Sequence, residues 1–157
     1  MNIIEGNKKE KNFNFAIVQS RFNEEIGERL LAGALSCLKE NGYDKNSVPI
    51  IKVPGAFEIP LAAERLASQK KYDAIICLGA VIKGETAHFE YVAKAAADGI
   101  LQVGLKYGIP VIFGVLTTYD EIQAEERSGE KESNKGWEAV NVAIEMASLI
   151  SILDRSK

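Results

Sequence analysis

The groups with chemistry to offer concentrate in residues 79–91. This stretch holds Gly79 and Gly84, the carboxylate of Glu85, the hydroxyl of Thr86 and the chain's only histidine, His88. An apolar run precedes it at residues 73–78, and a helical pattern follows. A strand that feeds a polar, glycine-bearing loop and then a helix makes an anion site. First-turn N–H groups have no partner inside the helix, and the helix dipole favours negative charge there. His88 in that first turn sets a proton carrier beside the anion. The competing account is plain: such turns occur throughout α/β proteins, and a single histidine is more often a packed or solvated side chain than a catalyst.

Other candidates are scattered along the chain. Phe22 follows the first apolar run, where the core needs no aromatic; it can stack on a planar heterocycle or pack on its own helix. In Gly55, Ala56, Phe57 and Glu58, small residues leave backbone groups open to a ligand. Glu58 can accept hydrogen bonds from hydroxyls, although a glutamate at a helix N-terminus also suits the dipole unaided. Arg127, at the end of a short helical pattern, can hold a phosphate with two parallel hydrogen bonds, although a surface arginine is commonly just solvated. No Walker or dinucleotide-binding glycine pattern occurs, which disfavours ATP and NAD. No serine or cysteine elbow has a base beside it in sequence.

The elements that must position these residues alternate. Strands are expected at residues 13–19, 48–53, 74–79 and 111–116. Asn23 is a candidate N-cap for a first helix, with Glu24 and Glu25 in its first turn and Ile26, Leu30, Ala34 and Leu38 on its apolar stripe. Gly42 sits where a left-handed C-cap belongs. A second helix opens at residues 56–60 and a third spans residues 88–107. Gly99 and Gly104 inside the third imply close approach of another backbone. Thr118 and Glu121 have capping-box spacing for a short fourth helix, and a fifth runs over residues 135–152. The fifth is apolar around most of its circumference, which implies burial on several sides, by a thick core or by another subunit.

Strand–helix alternation implies a three-layer α/β/α fold: a four-stranded parallel sheet with helices on both faces, flavodoxin-like in architecture. All strand-to-helix loops then lie along one edge, where open α/β sheets bind ligands. Phe22 and Asn23, residues 55–58, residues 80–88 and residues 113–117 are therefore expected to converge. Residues 1–12 read as a polar arm, either disordered or adding an extended segment to a sheet edge.

The chain of 157 residues reads as one domain, residues 1–157, long enough to bury about 70% of its unfolded surface. A net charge of −3 gives no basic face for nucleic acid. Cys37 and Cys77 fall in apolar patterns and read as buried thiols in a reducing compartment. With one histidine, the chain lacks ligand spacing for an ordinary zinc site, and no metal or cofactor is expected. The start has no basic region followed by an apolar run, and the longest apolar run, residues 74–82, is too short to span a bilayer. A soluble, cytoplasmic protein is expected.

Taken together, Ser20-Arg21-Phe22-Asn23, residues 53–60, residues 79–91, residues 113–117 and residues 134–139 resemble the lumazine synthase (6,7-dimethyl-8-ribityllumazine synthase) family over nearly the whole chain. The resemblance implies condensation of 5-amino-6-(D-ribitylamino)uracil with 3,4-dihydroxy-2-butanone 4-phosphate in riboflavin biosynthesis, releasing water and phosphate. Carried over residue by residue, Phe22 stacks on the pyrimidine, Ala56, Phe57 and Glu58 hold the ribityl chain, and Ala80, Val81 and Ile82 meet the uracil. Glu85 and Thr86 bind the phosphate, with Arg127 completing its site. Phe113 closes the heterocycle pocket, His88 moves protons, and Lys135 lies close by. The family builds each site between neighbouring subunits of a homopentamer, with Phe113 and Arg127 supplied by the neighbour. Some members close twelve pentamers into an icosahedral 60-mer. The uninserted loop at residues 128–133 matches shell formers, whereas Glu130 and Ser133 depart from their usual threonine and glycine. The rival readings are a non-catalytic flavin-binding protein on the same fold and a purely structural shell protein.

Overall fold

The computed structural model describes residues 1–156. Four strands, β1 (Phe15–Ser20), β2 (Ile50–Val53), β3 (Ala74–Ile82) and β4 (Val111–Thr118), form one parallel sheet in the order β2-β1-β3-β4. Five α-helices join and cover them: α1 (Glu24–Glu40), α2 (Ile59–Ala67), α3 (His88–Tyr107), α4 (Glu121–Glu126) and α5 (Lys135–Arg155). The four-stranded parallel α/β fold expected from the alternation is the one observed.

Residue parity decides which helices cover which face. Phe15, Ile17, Ala74, Ile76 and Leu78 point to a core shared with α1 and α5. Ala16, Val18, Ile75 and Cys77 point to a second core shared with α2 and α3. Both sides of the central strands are thus dry, which is why they read as continuous apolar runs rather than alternating ones.

Strand and cap boundaries differ from the sequence reading. β3 runs on through Ala80, Val81 and Ile82, because β4 extends to Thr118 and pairs with it there. The loop proper therefore begins at Lys83, not at Ala80. Asn23 does not cap α1 with its side chain; it adopts a left-handed conformation (φ 60°, ψ 51°). Asp120, not Thr118, caps α4, its carboxylate accepting from the Gln123 amide. Gly99 faces the ring of Pro60 instead of another backbone, whereas Gly104 approaches the Ile109 carbonyl oxygen. Gly42 (φ 85°) and Gly108 (φ 67°) take the left-handed conformation that ends α1 and α3.

α5 is the one helix among the described residues long and apolar enough to cross a membrane, with a mean hydropathy of 1.3 in its most apolar window. Its inner face, including Val140, Ala143, Ile144 and Ala147, packs in the core beside α1 and the sheet. The chain's own N-terminal arm covers more of it. The Asn7 amide donates to Ser148 Oγ at 3.1 Å, and Gly6 lies against the Glu145 carbonyl. Beyond that contact Ile3 and Ile4 are exposed, and Val142 and Leu153 stay open on α5.

Candidate functional site

The strand order places a topological switch between β1 and β3: from β1 the chain moves outward to β2, and from β3 outward to β4. A cavity of about 740 Å³ opens there, at the carboxyl ends of β1, β2 and β3. That is where helices leaving opposite faces of an open sheet part and leave a crevice.

Each wall has a local cause. The Arg21 and Phe22 amides donate to the Val53 and Pro54 carbonyls, prolonging the β1–β2 ladder and setting Phe22 beside Gly55. Phe22 and Phe57 are 73% and 60% exposed, too open to serve the core of one chain. A one-turn 3₁₀ segment, Ala56–Glu58, buries Ala56 and leads into α2. Glu58 folds back over Gly55, and its amide donates to the Gly55 carbonyl at 3.2 Å. The extended end of β3 supplies the floor, with Ala80 and Val81 buried and Ile82 half-buried. Gly84, Thr86 and His88 form the far wall. His88 is the first residue of α3, and Ala87 before it gives no side-chain cap. The His88 amide makes a long bond to Thr86 Oγ1 at 3.4 Å and the Glu90 amide donates to the Ala87 carbonyl at 3.0 Å, so the first turn is partly satisfied from within.

Phe22, Ala56, Phe57, Glu58, Ala80, Val81, Ile82, Thr86 and His88 thus line one cavity. Glu85 lies exposed on the same loop without lining it. Asn23, Tyr91 and Val92 also line it. Asn23, expected at this rim and a candidate N-cap by sequence, donates from Nδ2 to the Ala80 carbonyl at 2.9 Å instead of capping α1, fastening the β1 tip to the β3 tip. Tyr91 carried a signal, being an aromatic one helical turn after His88.

Phe113 and Arg127 do not reach this cavity, so the expected convergence fails for the β4 segment. Phe113 sits opposite Cys77 in mid-strand, five residues short of the end of β4. It borders a hollow of about 280 Å³ against α5, with Lys135 and Glu138. Arg127 borders an adjoining hollow of about 320 Å³, again with Lys135 and Glu138. The two hollows share those residues and none with the larger cavity. They form a second surface, beside the exposed edge of β4.

Electrostatics sharpen the division. Among the described residues no lysine or arginine lines the larger cavity, and Glu58 is its only carboxylate. The cations Arg127 and Lys135 stand on the second surface. Arg127 Nη1 donates to the Gln123 carbonyl at 3.0 Å, and Lys135 pairs with Glu138 at 3.3 Å. Among the described residues no three His, Cys, Asp or Glu side chains are grouped to hold a metal ion.

Among known protein families, the one described as 6,7-dimethyl-8-ribityllumazine synthase matches residues 12–151. That span covers every wall of the cavity and the whole of the second surface.

Proposed function

The chain belongs to the 6,7-dimethyl-8-ribityllumazine synthase family, and on that premise we propose that it condenses 5-amino-6-(D-ribitylamino)uracil with 3,4-dihydroxy-2-butanone 4-phosphate to give the lumazine, phosphate and water. One observation carries this reading: an aromatic, a carboxylate, an imidazole and the start of a helix share one cavity, while the cations that a phosphate needs lie on a separate surface of the same chain.

Phe22 stacks on the uracil, which lies along the β3 end between Ala80 and Ile82. Glu58 and the Ala56–Phe57 backbone take the ribityl hydroxyls. Thr86 and the first-turn amides of α3 hold the phosphate, with Glu85 on the same loop. The primary amine of the uracil attacks the ketone of the butanone phosphate, losing one water to form an imine. Phosphate then leaves by elimination, the resulting enol tautomerises to a ketone, and the ribitylamino nitrogen closes the ring on that carbonyl with loss of a second water. Each step moves a proton, and His88 stands where one can be taken up and returned. Imidazole suits that work near neutral pH. Holding two substrates in register supplies much of the acceleration.

The site is completed by a second copy of the chain, whose Phe113, Arg127 and Lys135 close over the phosphate and heterocycle. Five copies form a ring, and twelve rings can close into a shell. In this reading the exposed Ile3 and Ile4 dock on a neighbouring copy. The protein works in the cytoplasm.

The test is direct. The protein is incubated with both substrates while the absorbance and fluorescence of the lumazine are followed. Product formation that requires both substrates and the protein supports the reading. No product, with flavin bound tightly to the purified protein, would favour a flavin carrier instead.

A further inference from the structure

Asn134 is 2% exposed, and its side chain uses every hydrogen-bonding capacity it has. Oδ1 accepts from the Gly136 amide at 2.8 Å and the Trp137 amide at 3.1 Å, which caps α5. A cap needs nothing more. Yet Nδ2 donates to the Arg29 carbonyl on α1 at 3.0 Å and to the Gly129 carbonyl at 2.9 Å. The space around it is fitted: a Cβ at Gly33 or Gly136 would run into the Asn134 amide group.

The loop held this way is the one that carries Arg127. The Lys135 amide donates to the Arg127 carbonyl at 2.9 Å, and Ser128 and Asn134 form an isolated antiparallel bridge. Residues 127 and 135 are therefore locked side by side, with Ser128 Oγ tied to the Ala124 carbonyl at 2.9 Å. Without the two Nδ2 bonds, the capped helix and its packing on α1 would remain, but the hydrogen bonds from this side chain to Arg29 and Gly129 would be lost.

We propose that Asn134 is a positioning residue for substrate phosphate: its Nδ2 bonds to Arg29 and Gly129 set where the Arg127 guanidinium stands. This rests on the reading of Arg127 given above. The role predicts a selective defect, since the uracil subsite lies in the other cavity and shares no residue with this loop.

Two variants separate the tether from the cap. Asn134→Asp keeps the oxygen that accepts from the first amides of α5 but cannot donate, and Asn134→Ser keeps a capping hydroxyl while losing the tether. Each is assayed with both substrates, alone and combined with Arg127→Ala, and its assembly is checked by light scattering. The expected result is a KM for the butanone phosphate raised about tenfold or more, with the KM for the uracil held within about twofold. In the Arg127→Ala background neither substitution should add to that loss, because both act through one guanidinium. Equal rises in both KM values, unchanged values, or losses that multiply in the double variants would overturn the proposal. So would failure of both single variants to assemble, which would assign Asn134 to the fold as a whole. If Arg127→Ala itself leaves the butanone phosphate KM unchanged, the reading of Arg127 falls first and the inference with it.

Discussion

The proposed function gives His88 and Arg127 different work, and kinetics can tell them apart. A positioned acid–base group contributes about 10²–10⁴-fold, while approximation of two substrates acts without it. His88→Ala should therefore slow turnover by a factor in that range without abolishing it, measured as kcat under saturation with both substrates. A wild-type rate would remove His88 from the chemistry. Arg127→Ala removes a charge-assisted contact to one substrate only, so KM for the butanone phosphate should rise far more than KM for the uracil. Equal rises would contradict that role. His88 was conspicuous in sequence as the only histidine, on a loop with a hydroxyl and glycines. Asn23 was not, because an asparagine just before a helical pattern reads first as a cap. Only the left-handed backbone and the bond to the Ala80 carbonyl reveal that it joins two strand tips.

The helices and strands set how much change each position tolerates. α1 and α5 meet so closely that a Cβ on Gly136 would collide with the Leu30 carbonyl. The backbones would have to part, so Gly136→Ala should cost about 1–3 kcal/mol, read as a fall of several degrees in the thermal unfolding midpoint. Gly84→Ala is the control, since a Cβ there meets nothing within 4 Å; its midpoint should stay at the wild-type value. The two thiols test the dryness of the layers. Burial pushes Cys37 up to about 11 and Cys77 higher still. Only about a thousandth of Cys37 would be thiolate at pH 8. A thiol-reactive chromogen at pH 8 should thus label neither in the native protein and both after denaturation; fast native labelling would show that the layers open. Element types and most helix ends were legible, because α3 keeps a 3.6-residue apolar stripe and Gly108 stops it. Strand ends were less so. The last three residues of β3 are as apolar as a loop floor would be, and only pairing with β4 makes them strand.

At the scale of the whole molecule, the two cavity systems are what one chain leaves unfinished. Phe22, Phe57 and Tyr91 are exposed around a site without cations, and Phe113 and Arg127 face outward without a catalyst. In the proposed function, ring assembly joins the halves. Light scattering should report a particle of at least five copies, and the uninserted loop at residues 128–133 predicts a 60-copy shell; a species of pentamers alone would overturn the shell. Mixing His88→Ala with Arg127→Ala chains supplies a second check. Mixed rings contain some sites built from two intact halves, so activity should rise above that of either variant alone.

Composition and periodicity by themselves determined the layered parallel sheet and the meeting of the first three strand tips, because right-handed crossovers leave those loops no other edge to occupy. They also marked His88 and the two buried thiols, because residue type and apolar pattern are local properties. Tertiary structure shows Phe113 apart from His88 where topology led residues 113–117 to the same rim, since strand length and register depend on the partner strand rather than on the segment itself. It also decided what Asn134 holds. Arg29, Gly129 and Gly136 come to one amide group only when α1, the loop and α5 are packed together, a juxtaposition over a separation of 105 residues that no local pattern encodes.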